Sequence, residues 1–191
     1  MVKKIIIEVD RQQYEAKYIG KGKYSKAYQV GDRIVLYTRG DCAKEVLAMF
    51  QYDRMAHLPE IIRHDNVQMR STTVLNQQNI WYVFSSPYYR NVTKKDKSAY
   101  ELMNKLIKEY QVFWRMINTN KSDIYVMQMF VDSLDHPRTI MFPRSVVRAL
   151  QELVNVSSNC GGQPGFDFKK NNFGVNEYGT LIFRDLVFVI N

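Results

Sequence analysis

Three polar residues near the end of the sequence have the types and spacing needed for chemistry on phosphate. Asp167 lies five residues before Asn172 within Gly165-Phe166-Asp167-Phe168-Lys169-Lys170-Asn171-Asn172, and Asp185 closes the later run Thr180-Leu181-Ile182-Phe183-Arg184-Asp185. Between them, Phe173-Gly174-Val175 reads as a short strand and Asn176-Glu177-Tyr178-Gly179 as the turn that reverses it. A hairpin built that way brings Asn172 and Asp185 to the same end of two strands. A carboxylate and an amide oxygen are hard donors suited to Mg²⁺, which takes few protein ligands and shares the phosphates of a nucleotide. Asp167 then stands beside the metal, where a carboxylate can orient a hydroxyl nucleophile. The plainer reading is a polar hairpin whose acids and amides satisfy only their own turns.

In type and order, Asp167, Lys169, Asn172 and Asp185 resemble the catalytic loop of the protein-kinase fold: an acid, a lysine two on, an asparagine five on, and a metal-binding acid after a hairpin. The resemblance implies Asp167 and Lys169 as catalytic residues, Lys169 balancing charge on the γ-phosphate, and Asn172 and Asp185 as metal ligands. At the other end of the chain, Tyr18-Ile19-Gly20-Lys21-Gly22-Lys23-Tyr24-Ser25-Lys26-Ala27-Tyr28 is similar to a kinase glycine-rich loop. It implies a nucleotide-binding set of Gly20, Gly22, Tyr24 and Ser25, in which the glycines let backbone approach a triphosphate and Tyr24 covers it. ATP and Mg²⁺ are the cofactors implied. The pattern is most similar to the early serine/threonine protein kinases of short-tailed bacteriophages, on Gly20 to Tyr28 and on Phe166-Asp167.

The elements that must position these residues are legible in part. Lys4-Ile5-Ile6-Ile7-Glu8-Val9 and Arg33-Ile34-Val35-Leu36-Tyr37 alternate as strands do, and are expected to flank the glycine loop. Asp41 can cap a helix running through Phe50, and the resemblance makes its Glu45 the glutamate that faces a nucleotide lysine. Pro59 is expected to break that helix before a return strand, and Ile80 to Pro87 reads as a buried strand that leads to the second half of the chain. From Ser98 to Asn118, Ala99, Leu102, Met103, Leu106, Ile107, Tyr110, Phe113, Trp114 and Ile117 fall at helical spacing on a core-facing side. Pro143 and Ser145 open another helix with Val146, Val147, Leu150, Leu153 and Val154 inward. The expected fold is α+β and protein-kinase-like. An N-terminal antiparallel sheet lobe with one helix (1–87) is joined to a reduced helical lobe (88–191) that ends in the catalytic-loop hairpin.

Composition bounds the rest. The chain has 191 residues, 46% of them hydrophobic, enough for a core, with no repeat or low-complexity tract. No apolar run reaches the roughly 18 residues of a membrane span and Met1-Val2-Lys3-Lys4 leads into no signal-like core, so the expected location is the cytoplasm, that of a host bacterium if the source is a phage. Cys42 and Cys160 are expected as free thiols, and His57, His64 and His136 as solvated or hydrogen-bonded side chains rather than metal ligands. The net charge of +8 draws phosphates, yet no recognition helix or aromatic RNA-binding motif accompanies it. Lys17, Lys21, Lys23 and Lys26 surround the glycine loop, and Lys94, Lys95 and Lys97 sit in an expected loop.

Departures from the kinase pattern divide the functional reading. Where the resemblance calls for a phosphate-gripping lysine the chain has Leu36, or Tyr37 if shifted by one, with Lys23, Lys26 and Lys44 as substitutes. The arginine expected before the catalytic acid is Phe166, the glycine expected two past the metal acid is Val187, and the sequence ends six residues after Asp185. Leu186 to Ile190 reads as a strand or an apolar tail docked on the core. The first expectation is a minimal kinase, or kinase-like nucleotide binder, that transfers the γ-phosphate of ATP to a serine or threonine hydroxyl of a host protein. The second is an inactive pseudokinase that binds or inhibits a host factor through its basic surface. A small-molecule kinase is a third reading, for which no acidic substrate-binding insertion is visible.

Overall fold

The computed structural model describes residues 4–21, 25–38, 42–49, 55–67, 81–117, 122–135, 142–160 and 163–190. The chain divides into two units, Met1–Gln51 with Glu60–Tyr88, and Tyr52–Pro59 with Tyr89–Asn191.

The first unit is an antiparallel sheet with one helix. Strands β1 (Lys4–Val9), β2 (Gln12–Lys21), β3 (Ser25–Val30), β4 (Arg33–Thr38), β5 (Ile62–Val67) and β6 (Trp81–Pro87) lie in the order β1-β2-β3-β4-β6-β5, and α1 (Cys42–Met49) follows β4. Alternation sorts the side chains: on β1, Ile7 and Val9 are buried while Ile6 is 62% exposed. The buried set is Ile7, Val9, Ala16, Tyr28, Val35, Tyr37 and Val83. Tyr18, Tyr28 and Tyr37 meet edge to face, and the buried Tyr37 hydroxyl donates to Glu8 O at 2.7 Å. The turn between β1 and β2 reaches β5, where Asp10 Oδ2 lies 2.6 Å from His64 Nδ1 and His64 Nε2 lies 2.8 Å from Ser85 Oγ. That polar clasp ties the two edge strands of a curled sheet.

Two expectations change here. The glycine loop is flanked by β2 and β3, not by the runs at Lys4 to Val9 and Arg33 to Tyr37. A hairpin turn at Asp10-Arg11, with φ of 48° and 66°, inserts β2 between β1 and the loop, and it carries no glycine to announce it. Pro59 does not end a helix: α1 as described ends at Met49, and a turn already occupies 56–58.

The second unit packs α2 (Lys97–Met116), α3 (Asp123–Leu134) and α4 (Arg144–Ser158) with two small antiparallel pairs, β7 (Gln163–Phe166) with β10 (Val187–Ile190) and β8 (Phe173–Val175) with β9 (Leu181–Phe183). The run after Leu186 is therefore a strand, with Val187 opposite Phe166. Helices α2 and α4 bury the sides expected of them, except that Trp114 is 37% exposed. Helix α3 had no amphipathic signature, because Asp123-Ile-Tyr-Val-Met-Gln-Met-Phe-Val is apolar nearly all round, and it is correspondingly buried at Val126, Met127, Phe130, Val131 and Leu134. Tyr110, Phe130, Phe166, Phe168 and Phe173 form one aromatic cluster, with Phe168 stacked on Tyr110 at 4.5 Å.

Candidate active site

The loop after β7 alternates, and the alternation sets the geometry. Phe166 and Phe168 are buried in the aromatic cluster, so Asp167 and Lys169 both point away from it. Their side chains meet: Lys169 Nζ donates to Asp167 Oδ2 at 2.9 Å. A single 3-10 turn, Lys170–Asn172, then folds the chain back, with Asn172 N donating to Lys169 O at 2.9 Å. Asn172 is 9% exposed, and its Nδ2 donates to Asp167 O at 2.9 Å. With the nitrogen so committed, Oδ1 of this buried amide has no donor among the described residues.

Asp185 arrives from the other strand of the hairpin. Its backbone nitrogen donates to Asn172 O at 3.3 Å, as does that of Arg184 at 2.9 Å, while Asp167 N donates to Leu186 O at 2.6 Å. The structure thus brings Asp167, Lys169, Asn172 and the backbone of Asp185 into one hydrogen-bonded group. Asp185 is an exposed side chain, and Asp167 is 28% exposed at its side chain. Among the described residues no three of His, Cys, Asp and Glu gather as a metal cage. A buried amide oxygen without a donor and a nearby exposed carboxylate nevertheless fit Mg²⁺, whose other ligands are water and phosphate. Tyr110, whose ring packs on Phe168, has its phenol pKa pushed up by burial and then by the charges of Asp123 and Asp167. A cavity of about 390 Å³ lined by Tyr110, Trp114, Asp123 and Phe166 does not include Asp167 in its wall.

Arg184 is a site residue that sequence reading missed. Its guanidinium donates to Tyr89 O at 2.9 Å, Asn91 Oδ1 at 3.0 Å and Asn171 O at 2.6 Å. The side chain crosses Gly174, where an added Cβ would come within 2.7 Å of both Arg184 Cδ and Tyr89 Cβ. Arg184 therefore straps the loop carrying Asn172 to residues 89–91, and glycine leaves room for the strap. His57 braces the far strand: Nδ1 donates to Leu181 O at 2.8 Å, Nε2 lies 3.1 Å from Ser145 Oγ, and its carbonyl accepts from Phe183 N at 2.8 Å.

The nucleotide-binding set belongs to the first unit. Gly20 lies in β2 opposite Ala27, just past a register shift at Tyr18, and Ser25 begins β3 opposite Thr38. Gly22 and Tyr24 lie outside the described residues. A Cβ on Gly20 would meet nothing within 4 Å and its φ is not positive, so the fold itself does not require glycine there. Glu45 is half-buried on α1 and makes no ion pair among the described residues. On β4, Tyr37 points into the core while Leu36 lies on the other face between Ala27 and Phe84. Lys26 pairs opposite Tyr37 and so shares Tyr37's face rather than Leu36's. Lys44 is on α1, and Lys23 lies outside the described residues.

An antiparallel sheet with one helix after its fourth strand, followed by helices and by an acid–lysine–asparagine loop ahead of a hairpin that ends in a second acid, makes the expected α+β fold. No protein-family model matches the chain, and no curated protein matches it. Among solved structures it is similar to spectinomycin phosphotransferase, APH(9)-Ia, in complex with ADP and spectinomycin, at 10% identity over 92% of this chain, with a TM-score of 0.34. The chain spans 65% of that protein's length. No helix of the described residues is long and apolar enough to cross a membrane.

Proposed function

We propose that the protein is a kinase-like phosphotransferase that moves the γ-phosphoryl group of MgATP to a protein hydroxyl. The observation that carries this reading is the bonded group at the second hairpin, in which Asn172 is tied through Nδ2 to Asp167 and through its carbonyl to the backbone of Asp185. In this reading Asn172 and Asp185 hold Mg²⁺, and Lys169 compensates charge on the γ-phosphate. Asp167 orients the acceptor hydroxyl and takes its proton. The acceptor oxygen forms a bond to phosphorus, the bond from phosphorus to the β–γ bridging oxygen breaks, and ADP leaves. Gly20, Gly22, Tyr24 and Ser25 would cover the phosphates. The finer reading, a serine/threonine kinase of the short-tailed-phage type acting in the cytoplasm on a host protein, is supported by the Gly20 to Tyr28 run and Phe166-Asp167.

A second reading is favoured by β4. Where the kinase resemblance calls for a phosphate-gripping lysine the chain has Leu36, or Tyr37 if shifted by one, and Lys26 lies on the face opposite Leu36. A missing pre-placed cation costs several kcal/mol of transition-state stabilisation, by analogy with loss of about 3–4 kcal/mol for one oxyanion donor. A pseudokinase that binds a host factor keeps the fold without that cost.

Thermal unfolding with and without MgATP, on the wild type and Asp185→Asn, separates these. A ligand that binds the folded state alone adds about 2.7 kcal/mol at a hundredfold excess over its dissociation constant. The expected result is a rise in midpoint that Asp185→Asn abolishes. No shift at millimolar MgATP would remove the nucleotide site and leave the binding-protein reading.

A further inference from the structure

The turn that carries Lys94 and Lys95 is a braced projection beside the candidate catalytic loop. Asp96 organises it: the carboxylate accepts from Thr93 N at 2.9 Å and Thr93 Oγ1 at 2.8 Å, and both guanidinium nitrogens of Arg90 pair with it. These bonds, that from Arg90 foremost, hold the Asp96 carboxyl well below the usual carboxylate range. The base of the turn is fixed to the catalytic hairpin. Arg90 O accepts from Val175 N at 2.9 Å, and Arg184 bonds Asn91 and Asn171 together. Asn91, at the base of the turn, is therefore held next to the loop that bears Lys169 and Lys170.

The charges on this surface are unequally matched. Arg90 is taken by Asp96 and Lys169 by Asp167. Lys94, Lys95, Lys97 and Lys170 are exposed, and none of them forms an ion pair among the described residues.

We propose that Lys94, Lys95, Lys97 and Lys170 form a docking rim for an acidic segment of the protein that supplies the acceptor hydroxyl, so that the phosphorylated residue is flanked by Asp or Glu. The inference rests on the phosphotransferase reading, because Asp167 is what makes the adjoining surface an acceptor site. Each exposed lysine–carboxylate pair contributes only about 0.2–1 kcal/mol, but four on the turn and the loop tied to its base would together orient a flexible acidic strand and speed its encounter. A nucleic acid is the competing occupant, since Tyr178 in the turn of the β8–β9 hairpin is 83% exposed and could stack on a base, and the test separates the two.

The test is fluorescence anisotropy with a labelled serine peptide flanked by glutamates, in the absence of nucleotide. Lys94→Glu/Lys95→Glu is compared with Lys108→Glu/Arg148→Glu, which makes the same change in charge at exposed positions of α2 and α4. The turn variant should weaken binding about tenfold and the control variant less than about twofold. Equal weakening in both, or binding of an oligothymidine but not of the peptide, would overturn the rim. MgATP stabilisation measured on the same proteins reports separately on the phosphotransferase reading, since neither pair of substitutions touches its residues.

Discussion

His57 is a buried imidazole, 7% exposed, stacked on Phe183 and bonded at both nitrogens. Burial lowers its pKa from the usual value. The folded protein therefore binds fewer protons than the unfolded chain once the pH drops below about 6.5. The stability His57 contributes is complete above that pH and is lost as the pH falls through it towards the folded value. Urea unfolding at about pH 7.5 and about pH 5.5 should show a loss in the wild type that is smaller in His57→Gln. An equal loss in both proteins would assign the pH dependence to other groups. At this scale the sequence was legible where partners are local. Asp167, Lys169 and Asn172 are within five positions of one another, and the structure bonds them together as their spacing suggested. His57 and Arg184 were opaque because Leu181 is 124 positions from the first and Tyr89 is 95 from the second. No spacing pattern encodes bonds of that range.

At the scale of elements, β8 is the tightest place in the candidate site. A side chain at Gly174 must displace Arg184 and also the Tyr89 Cβ, which sits on backbone and has little freedom to move. Gly174→Ala should destabilise by about 1–3 kcal/mol, the range for overpacking. Combining it with Arg184→Ala should recover part of that loss, because removing the guanidinium frees one of the two clashing neighbours; strict additivity of the two substitutions would show that Arg184 does not cross β8 as described. The elements that were legible are those with a clean period: β1, β4, α2 and α4. Helix α3 was missed because a helix buried on most sides leaves no polar face to mark its period. Strand β2 was missed because its burial pattern, with Ala16 its one fully buried residue, gives no apolar alternation, and because the preceding turn uses Asp10 and Arg11 where glycine would have flagged it.

For the whole molecule, the excess of positive charge sets how it responds to salt. With a net charge of +8, repulsion opposes compact packing, whereas the exposed ion pairs that favour it, such as Arg33 with Glu60 at 3.5 Å, contribute little. Raising ionic strength from about 0.01 M to about 0.15 M shortens the screening length from about 30 Å to about 8 Å. The thermal midpoint should therefore rise with NaCl. A fall would mean that specific ion pairs outweigh the repulsion. The α+β class was readable from the sequence, since β1, β4, α2 and α4 each carry a clean period. The division into units was less so, because Tyr52–Pro59 belongs with residues beyond Tyr89 through His57, whose partners are distant in sequence.

The pairing of β7 with β10 has a consequence for how the site opens. These two strands enclose the β8–β9 hairpin in the sequence, and Asp167 N is bonded to Leu186 O. Separating β10 from β7 breaks the bond of the Asp167 amide, whereas the Asp185 amide stays tied to Asn172 O at the end of the β8–β9 hairpin. The Asp167 amide proton should therefore exchange with deuterated solvent as β10 opens and that of Asp185 as the β8–β9 hairpin opens; two distinct rates are expected, and a common rate would show that the two closures open as one.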